Sequence, residues 1–505
     1  MSAQSAMPCD LPSCDPEAAG GGGAAARVAA GPGFWTEWLS ELSRQGLLEA
    51  LLADGTVGRA LREAPHGHRY DRALNAQMTM VCVLVACLFP AEGYDEVLAR
   101  AFGLPGLRFR PPWEKVPTGS AFSQARKLLG EHVMRRAFEI DAGVSDADLG
   151  LAVLWKGMEV TAIDGTTMDL DRGEALKAEF GSSSQAGRPL LRITAHVRTA
   201  SRRWIAAGVG SYHQGENELA DQLEASFTSG ILNIADRGFF SMDRFLRFSA
   251  NGAHLAWRVK NSAKQVPCKT IRVLPDGSEL VMLHESDGMR RRRRRETGNP
   301  QAERLPDTIA RLVTFTVLAA TRSGRKRKPA QVRVLTTLLD HEAYPARDIA
   351  ILYAERWQIE IAFLHLKATV RGSRRPLRGE SPELARQEAW GLLLIHNITA
   401  TAAARAAAEA GISPHLIPFA SVLALIRARV TADTCCPHCG RRPVSANDQL
   451  TALTDAILAL PRHRDGRKRT SGRTPAERRT AHTEDVTYII DIVPSNLPRI
   501  GQQAS

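Results

Sequence analysis

The chain has 505 residues, of which 44% are hydrophobic and 24% are charged. These proportions are those of an ordinary globular protein and exclude collagen-like, mucin-like and wholly disordered chains. At about 100–200 residues per domain, the length predicts two to four domains. The formal net charge of +12 favours a polyanionic partner but does not identify one.

The longest strongly apolar run, Met78–Phe89, has twelve residues. A membrane-spanning helix needs about 20, so the run predicts a buried helix and no membrane association. The first residues lack the basic and apolar segments of a signal peptide, which predicts a cytoplasmic protein. The eight cysteines have no regular spacing, which argues against a disulfide framework and favours a reducing compartment.

The first 145 residues divide into a disordered tail and a helical domain. Residues 1–33 are rich in glycine and alanine, as in a disordered tail. Over residues 34–145 apolar side chains recur at steps of three and four, which predicts helices. One of these helices, Ala121–Phe138, is entered through Pro117-Thr118-Gly119-Ser120, which offers capping residues. Some of its side chains are types that contact DNA, although an ordinary amphipathic helix explains them as well: Ser123, Gln124, Arg126 and Lys127.

From residue 150 to residue 257, short β-forming runs replace the helical pattern. The predicted order is three strands, a helix, a strand, a helix and a strand. This is the α/β order of a ribonuclease-H-like core. The predicted strands are Met158–Ile163, Leu190–Arg198, Trp204–Val209, Ile231–Ala235 and His254–Val259, and the predicted helices are Asn217–Ser226 and Met242–Ser249.

Residues 258–345 interrupt this core with a basic, β-rich insertion. The turn Pro275-Asp276-Gly277 predicts a hairpin, and two further strands are expected at Leu312–Leu318 and Val332–Leu338. With 19 Lys and Arg residues against 9 Asp and Glu residues, the segment holds most of the chain's excess charge. Its two basic runs suit phosphate contact, or are disordered basic loops: Arg290–Arg295 and Arg325–Lys328.

The helical pattern resumes at residue 346 and completes the core through residue 430. Long helices are predicted at Asp348–Val370 and Pro382–Ala408. Residues 431–505 form a C-terminal region with a basic, flexible tail. Within it, Cys436 and Cys439 resemble half a zinc knuckle. No second such pair supplies the remaining ligands, so ordinary loop cysteines explain them as well.

A polar row runs along the first of these helices. At 100° per residue its four members fall within a stripe about 60° wide, and Ile359, Phe363 and Leu366 fall on an adjoining face suited to the core. The cations could bind phosphates and the carboxylate a metal ion. A solvated face with salt bridges explains the row as well. The row consists of Tyr353, Arg356, Glu360 and Lys367.

Two aspartates follow predicted buried strands, Asp164 after Met158–Ile163 and Asp236 after Ile231–Ala235. Each alone also fits a turn or a helix-capping residue, and nearby competitors are Asp169, Asp171 and Asp243. Together with Glu360, the two aspartates can converge on two Mg²⁺ ions about 3.5–4 Å apart, an arrangement that supports phosphodiester chemistry. Carboxylate oxygens are the ligands that such hard cations prefer.

These motifs together resemble the DDE transposases of bacterial insertion sequences, specifically the insertion-sequence-four family. The polar row matches the family's Y-(2)-R-(3)-E-(6)-K signature. Its aspartate-glycine-threonine strand end is matched by Asp164-Gly165-Thr166, and its aspartate-arginine-glycine-phenylalanine turn by Asp236-Arg237-Gly238-Phe239. The resemblance implies a ribonuclease-H-like catalytic domain with a β-rich insertion, and recognition of the element's end by the N-terminal helical domain.

The resemblance also implies roles for individual residues. Asp164, Asp236 and Glu360 would be the catalytic metal ligands for two Mg²⁺ ions, which Mn²⁺ can replace. The implied DNA contacts are Tyr353, Arg356, Lys367, Arg237 and Trp357.

Relatives can stack a flipped base on an insertion-domain tryptophan while a hairpin forms on the element's end. No tryptophan lies between Arg258 and Arg356. Trp257 and Trp357, at the edges of this stretch, are weak substitutes. The sequence therefore does not decide whether a hairpin intermediate forms.

The leading hypothesis is a DNA transposase that hydrolyses DNA at the element's ends and joins these ends to target DNA. It would act as a dimer on DNA, in association with the nucleoid. A catalytically inactive DNA-binding derivative is one alternative, and a metal-dependent nuclease that never joins strands is another.

Overall fold

The computed structural model describes residues 52, 55–68, 74–103, 116–151, 154–261, 266, 268–321, 330–373, 375–431, 446–462 and 486–493. Several predictions lie outside these residues: the tail 1–33, the basic run Arg325–Lys328, the half-knuckle of Cys436 and Cys439, and most of the basic C-terminal tail. Among the described helices, none has both the length and the apolar character needed to cross a membrane.

Helices α1 (Thr56–Glu63), α2 (Ala76–Leu88), α3 (Tyr94–Gly103) and α4 (Gly119–Ala142) precede the sheet. The buried helix predicted from the longest apolar run is confirmed, since most residues of α2 are buried. Helix α4 begins where the Thr118 hydroxyl accepts a hydrogen bond from the amide of Ala121 at 3.3 Å. Capping of this kind satisfies an amide that has no partner within the helix.

Arg126 on α4 is not available to read DNA, contrary to the sequence-based expectation. Its side chain is 3% exposed and donates to Oε1 of Gln387 at 2.8 Å and to the carbonyl of Leu384 at 3.1 Å. The residue turns inward because α4 packs against a later helix that supplies these acceptors. Gln124 and Lys127 are exposed, whereas Ser123 donates to the carbonyl of Gly119 within the helix.

One mixed sheet contains the described strands in the order β3-β2-β1-β4-β5-β9-β8-β7-β6, with β10 paired to β8. Strands β1, β2 and β3 are antiparallel neighbours, whereas β4 and β5 run parallel to β1. The strands are β1 (Glu159–Asp169), β2 (Leu190–Arg198), β3 (Trp204–Ser211), β4 (Ile231–Ala235), β5 (His254–Val259), β6 (Cys268–Val273), β7 (Glu279–Leu283), β8 (Thr308–Thr321), β9 (Ala330–Thr336) and β10 (Val486–Ile492).

The first strand is longer than predicted. The sequence pattern ends it at Ile163, but β1 continues to Asp169 because β2 keeps pairing with it as far as Leu190. Asp164 therefore lies within a strand, opposite Ala195, and not after its end. A helix that the sequence analysis missed, α5 (Glu174–Phe180), follows this strand.

The β-rich segment extends the same sheet, since β9 pairs antiparallel with β5. The predicted hairpin is confirmed: β6 and β7 are joined by a turn in which Gly277 has a φ of +81°. Helices α6 (Glu216–Asp221), α7 (Met242–Ala250) and α8 (Asp287–Glu296) lie between strands. Helix α8 contains Arg290–Arg295, so the disordered-loop interpretation of this run is wrong.

The long helix predicted at Asp348–Val370 is continuous in direction but not in type. It consists of α9 (Ala346–Tyr353), a 3₁₀ turn (Ala354–Arg356), α10 (Trp357–Leu364) and a π-helical segment (His365–Val370). Tightened and widened turns of this kind are frequent at functional sites, where they redirect side chains.

A long helix packs against both the N-terminal helices and the sheet. Helix α11 (Pro382–Glu409) is buried along most of its length and packs on α2, α4 and β3. The apolar face predicted beside the polar row is also buried, at Ile359, Phe363 and Leu366. Helices α12 (Phe419–Thr431) and α13 (Ala446–Leu458) complete this layer.

A buried polar cluster crosses this interface. The fully buried guanidinium of Arg203 donates to Oδ2 of Asp141 at 3.2 Å, and the Asn397 amide donates to the same oxygen at 3.1 Å. Asn397 also accepts from the Trp204 amide at 2.8 Å. The cluster therefore connects α4, β3 and α11.

Replacing Asp141 with alanine is expected to reduce the free energy of unfolding by about 3–5 kcal/mol, because it leaves a buried guanidinium without its counter-charge. Urea unfolding measures the change. Asp171→Ala is the control, since that exposed carboxylate pairs with exposed Arg188 and its loss is expected to cost under about 1 kcal/mol. Equal losses in the two variants would contradict a structural role for the cluster.

Candidate active site

The pairing register of β1 and β4 brings two aspartates together. Ile163 and Ala235 are directly opposite each other at the end of this parallel pairing. Asp164 and Asp236 are the next residues on the two strands. Because neighbouring parallel strands present their carboxyl ends at one edge, the two side chains belong to the same edge of the sheet.

The Arg356 guanidinium spans the space between Asp164 and Glu360. Nη1 lies 3.5 Å from Oδ2 of Asp164, and Nη2 lies 2.8 Å from Oε1 of Glu360. Burial alone would lower the pKa of Arg356, but Tyr353 and the surrounding carboxylates outweigh burial and raise this pKa. The arginine therefore stays charged and links a strand carboxylate to a helix carboxylate.

Asp236 has two partners of its own. The Tyr353 hydroxyl donates to Oδ1 of Asp236 at 3.4 Å, and Nη1 of Arg258 lies 3.4 Å from the same oxygen. Burial, followed by the charge of Asp236, raises the pKa of Tyr353 although Arg356 opposes the shift. The phenol is therefore a neutral donor at physiological pH.

Lys367 reaches the same strand two residues beyond Asp164. Its Nζ donates to Oγ1 of Thr166 at 3.2 Å. Burial and then the charge of Arg371 lower the pKa of Lys367, while Asp169 partly offsets them. Tyr353, Arg356 and Lys367 thus contact residues of β1 or the residue that follows β4, and Glu360 is connected to β1 through Arg356.

Glu216, at the start of α6, adds a fourth carboxylate that the sequence analysis missed. A Cβ atom at Gly165 would lie 1.8 Å from Oε1 of Glu216, so only glycine next to Asp164 leaves room for this side chain. The carbonyl of Glu216 accepts from Oγ1 of Thr194 on β2 at 3.2 Å, which holds the start of α6 against the sheet. Burial raises the pKa of Glu216, and Asp236 adds to the rise although Arg192 opposes it.

Arg258 and Thr166 were also missed as site residues. Arg258 is close to Asp236 because β5 runs beside β4. The sequence signal for Arg258 is its place near the end of the strand after the Asp236 strand. The sequence signal for Thr166 is its position two residues after Asp164. The sequence signal for Glu216 is its position shortly after the end of β3. None of these signals has meaning before the strand order is known.

The two remaining predicted DNA contacts differ in exposure. Arg237 is exposed in the turn after β4. Trp357 is half-buried, and its Nε1 is enclosed without a hydrogen-bond partner among the described residues. Trp257 is fully buried and donates from Nε1 to Oδ1 of Asn233 at 2.9 Å, so it cannot stack on a base.

The carboxylates at this edge share a chemistry that suits a hard cation. Burial raises the pKa of Asp164 to about 6, and Glu216 and Glu360 add to the rise, while the Gly165 amide and Arg356 lower this pKa. Among the described residues, no three His, Cys, Asp or Glu side chains form a ready-made metal cluster. Since the donors are hard oxygens and carry excess negative charge, they suit a divalent ion such as Mg²⁺.

Comparisons with known proteins agree with these motifs. The family model for the transposase DDE domain matches residues 155–398, and the model for the insertion element 4 transposase N-terminal region matches residues 43–139. Transposase InsG for insertion sequence element IS4, from Escherichia coli (strain K12), is 29% identical over 348 residues. That alignment covers 68% of this chain and 73% of InsG.

Two more distant similarities were found. Putative transposase InsZ of the same organism is 26% identical over 155 residues, which are 29% of this chain and 52% of InsZ. A solved piggyBac transposase synaptic complex with hairpin DNA aligns with 88% of this chain and 87% of that chain, at a TM-score of 0.38 and 10% identity.

The matched domain, which contains both aspartates and the polar row, defines the chain as a DDE transposase. It is therefore a DNA-binding enzyme of transposition that cleaves DNA with the help of a divalent metal. The additional N-terminal match shows that the chain belongs to the insertion-sequence-four family. The resemblance stated from the sequence is thereby confirmed.

Without divalent ions, Asp164 is expected to make stability depend on pH. Its folded pKa of about 6 exceeds the ordinary value of 3.8. Protonated Asp164 therefore adds to the free energy of unfolding. This addition is fully present below about pH 4 and is lost as pH rises through about 6. The loss is at most about 3 kcal/mol.

Urea unfolding in metal-free buffer at pH 4.5 and pH 7 measures this effect. The Asp164→Asn variant should lose less stability between the two pH values than the wild type, and Asp171→Asn should match the wild type. An Asp164→Asn variant with the wild-type pH dependence would contradict the assignment.

Proposed function

We propose that this transposase hydrolyses DNA at the ends of its element and joins those ends to target DNA by transesterification. Asp164, Asp236 and Glu360 are the metal ligands. The catalytic core is ribonuclease-H-like and comprises residues 150–257 and 346–430. The strand order β3-β2-β1-β4-β5, with β4 and β5 parallel to β1, supports this core.

One observation carries the proposal: three carboxylates that are distant in sequence are connected at one edge of the sheet. The β1–β4 register aligns the two aspartates, and Arg356 connects Asp164 to Glu360. A salt-bridged solvated helix face does not explain these contacts, because Tyr353, Arg356 and Lys367 each have a partner on β1 or directly after β4.

The ligand set fits two Mg²⁺ ions, which Mn²⁺ can replace. When bound about 3.5–4 Å apart, such a pair stabilises the attacking and the leaving oxygen of a phosphodiester. Glu216 lies next to Asp164 and supplies further negative charge. The β1–β4 pairing and Arg356 hold these carboxylates at one edge of the sheet, where one DNA strand can contact them together.

The cations of the site bind DNA phosphates. Arg356 and Lys367 are positioned beside the carboxylates, and guanidinium groups bind phosphate oxygens in bidentate fashion. Tyr353 donates a hydrogen bond from its neutral phenol. Exposed Arg237 and the half-buried edge of Trp357 extend this contact surface. A base stacked on Trp257 is not part of the proposal, because that ring is buried.

The other regions serve recognition and assembly. The helical region 34–145 recognises the element's end, and the basic, β-rich insertion 258–345 contributes further DNA contact. Two copies act together as a dimer on DNA, because two ends must be held for joining. The enzyme works in the cytoplasm, in association with the nucleoid.

The metal-ligand assignment is tested with three variants, Asp164→Asn, Asp236→Asn and Glu360→Gln. Each is expected to reduce Mg²⁺-dependent cleavage of the element's ends at least about 100-fold while DNA binding is retained, because each removes an anionic oxygen ligand. The substrate is a plasmid that carries the gene with its natural flanking DNA, and nicked and linear products are quantified on gels.

Asp171→Asn is the matched control, since Asp171 is exposed and pairs with Arg188. Full activity in any of the three site variants would contradict the ligand assignment. If the wild type binds DNA but never nicks it with Mg²⁺, the chain is an inactive derivative. Cleavage without strand-transfer products would instead define a nuclease.

Replacing Arg356 with alanine should have opposite effects on metal and on DNA. Removal of its charge leaves Asp164 and Glu360 uncompensated, so Mn²⁺ is expected to bind several-fold more tightly in the absence of DNA. End cleavage should fall, because a phosphate contact is lost. Electron paramagnetic resonance of free Mn²⁺ measures the affinity, with Arg188→Ala as control. Unchanged or weaker Mn²⁺ binding would contradict the proposed linking role.

A further inference from the structure

Helix α8 carries six consecutive arginines, Arg290–Arg295. Ser286 caps it by accepting a hydrogen bond from the Met289 amide at 3.3 Å. At 100° per residue, six consecutive side chains must point in all directions around a helix. The contacts of the individual arginines therefore decide what the helix does.

Three of the arginines fix the helix to the protein. Arg293 donates to both carboxylate oxygens of Glu285, at 2.7 and 3.1 Å. Arg294 donates to the carbonyl of Ala302 at 2.9 and 2.8 Å, and Arg290 donates to the same carbonyl at 3.4 Å. These three positions fall on one side of the helix, and all three side chains are partly buried.

The other three arginines form an exposed face on the opposite side, which we call the outer face: Arg291, Arg292 and Arg295. Arg292 pairs with Glu296 at 2.7 Å, with side-chain exposures of 71% and 59%, and a pair so exposed contributes little. In the parts of the chain that the structure describes, no ion pair or hydrogen bond to the side chains of Arg291 and Arg295 is found.

Like charges at this spacing repel one another. Arg291 and Arg295 are four residues apart, and Arg292 and Arg295 are three apart, spacings at which like charges destabilise a helix. Arg291, Arg294 and Arg295 also line an open hollow between Gly288 and Pro300. A bound polyanion would remove the repulsion.

The helix lies on the side of the sheet that carries the Asp236 turn. Met289 packs against the apolar cluster that contains Phe239 and Phe245. Phe239 is three residues after Asp236, and Phe245 lies on α7. Helix α8 is therefore packed on the same apolar cluster as the segment that follows Asp236.

We propose that the outer face binds the phosphodiester backbone of duplex DNA. Arg291 and Arg295 are about 6 Å apart along the helix axis, a distance over which a duplex presents several phosphates. The inward arginines position the helix and the outward ones contact the DNA. The inference names a surface of the proposed transposase but does not depend on its metal ligands.

The test compares two triple variants, R291Q/R292Q/R295Q and R291K/R292K/R295K. Binding of a fluorescent 40-base-pair duplex is measured by anisotropy in EDTA at several salt concentrations. The Gln variant should bind at least ten-fold more weakly at low salt, and the slope of log affinity against log salt should fall by about 2 to 3. The Lys variant should keep the wild-type slope, because it keeps the three charges.

The thermal unfolding temperatures of both variants should not fall below that of the wild type, since the substituted side chains are exposed and the Gln variant also removes like-charge repulsion. An unchanged salt slope in the Gln variant would overturn the proposal. Loss of affinity for an RNA hairpin without loss for duplex DNA would also overturn it. Because the assay contains no divalent ion and measures binding alone, its outcome does not depend on the metal ligands, which the cleavage assay tests. Failure of the metal-ligand assignment is therefore detected separately.

Discussion

The parallel pairing of β1 with β4 is the constraint on which the active site depends. It sets Ile163 opposite Ala235, and the next residue on each strand is an aspartate. A register slip of one residue would send one of the two side chains to the other face of the sheet. The buried residues of β4 and the long antiparallel pairing of β1 with β2 hold this register.

Around this edge the protein gathers more negative charge than it neutralises with direct contacts. Asp164, Asp236, Glu216 and Glu360 lie among Arg356, Arg258 and Lys367, and burial strengthens every interaction between these groups. In such a site, like charges are maintained at a cost in stability, which is typical of functional sites and not of the core. The apolar side chains buried around α11 stabilise the fold and offset this repulsion.

Much of the arrangement follows from the sequence because its signals are local. The strands Ile231–Ala235 and His254–Val259 end where their apolar runs end, and the β6–β7 turn has its expected residues. The extension of β1 past Asp164 was not predictable, since it depends on pairing with β2. The burial of Arg126 and the place of Glu216 depend on packing partners far away in sequence. The division of the α8 arginines into inner and outer faces depends on the acceptors Glu285 and Ala302.

The central claim is that Asp164, Asp236 and Glu360 bind divalent metal together. A crystal structure of the protein grown with Mn²⁺, with data collected at the manganese absorption edge, tests it most directly. Anomalous density is expected at the β1–β4 edge within bonding distance of the three carboxylates, with Arg356 moved away from Asp164. Well-ordered carboxylates that keep their contacts to Arg356, with manganese density absent from that edge, would contradict it.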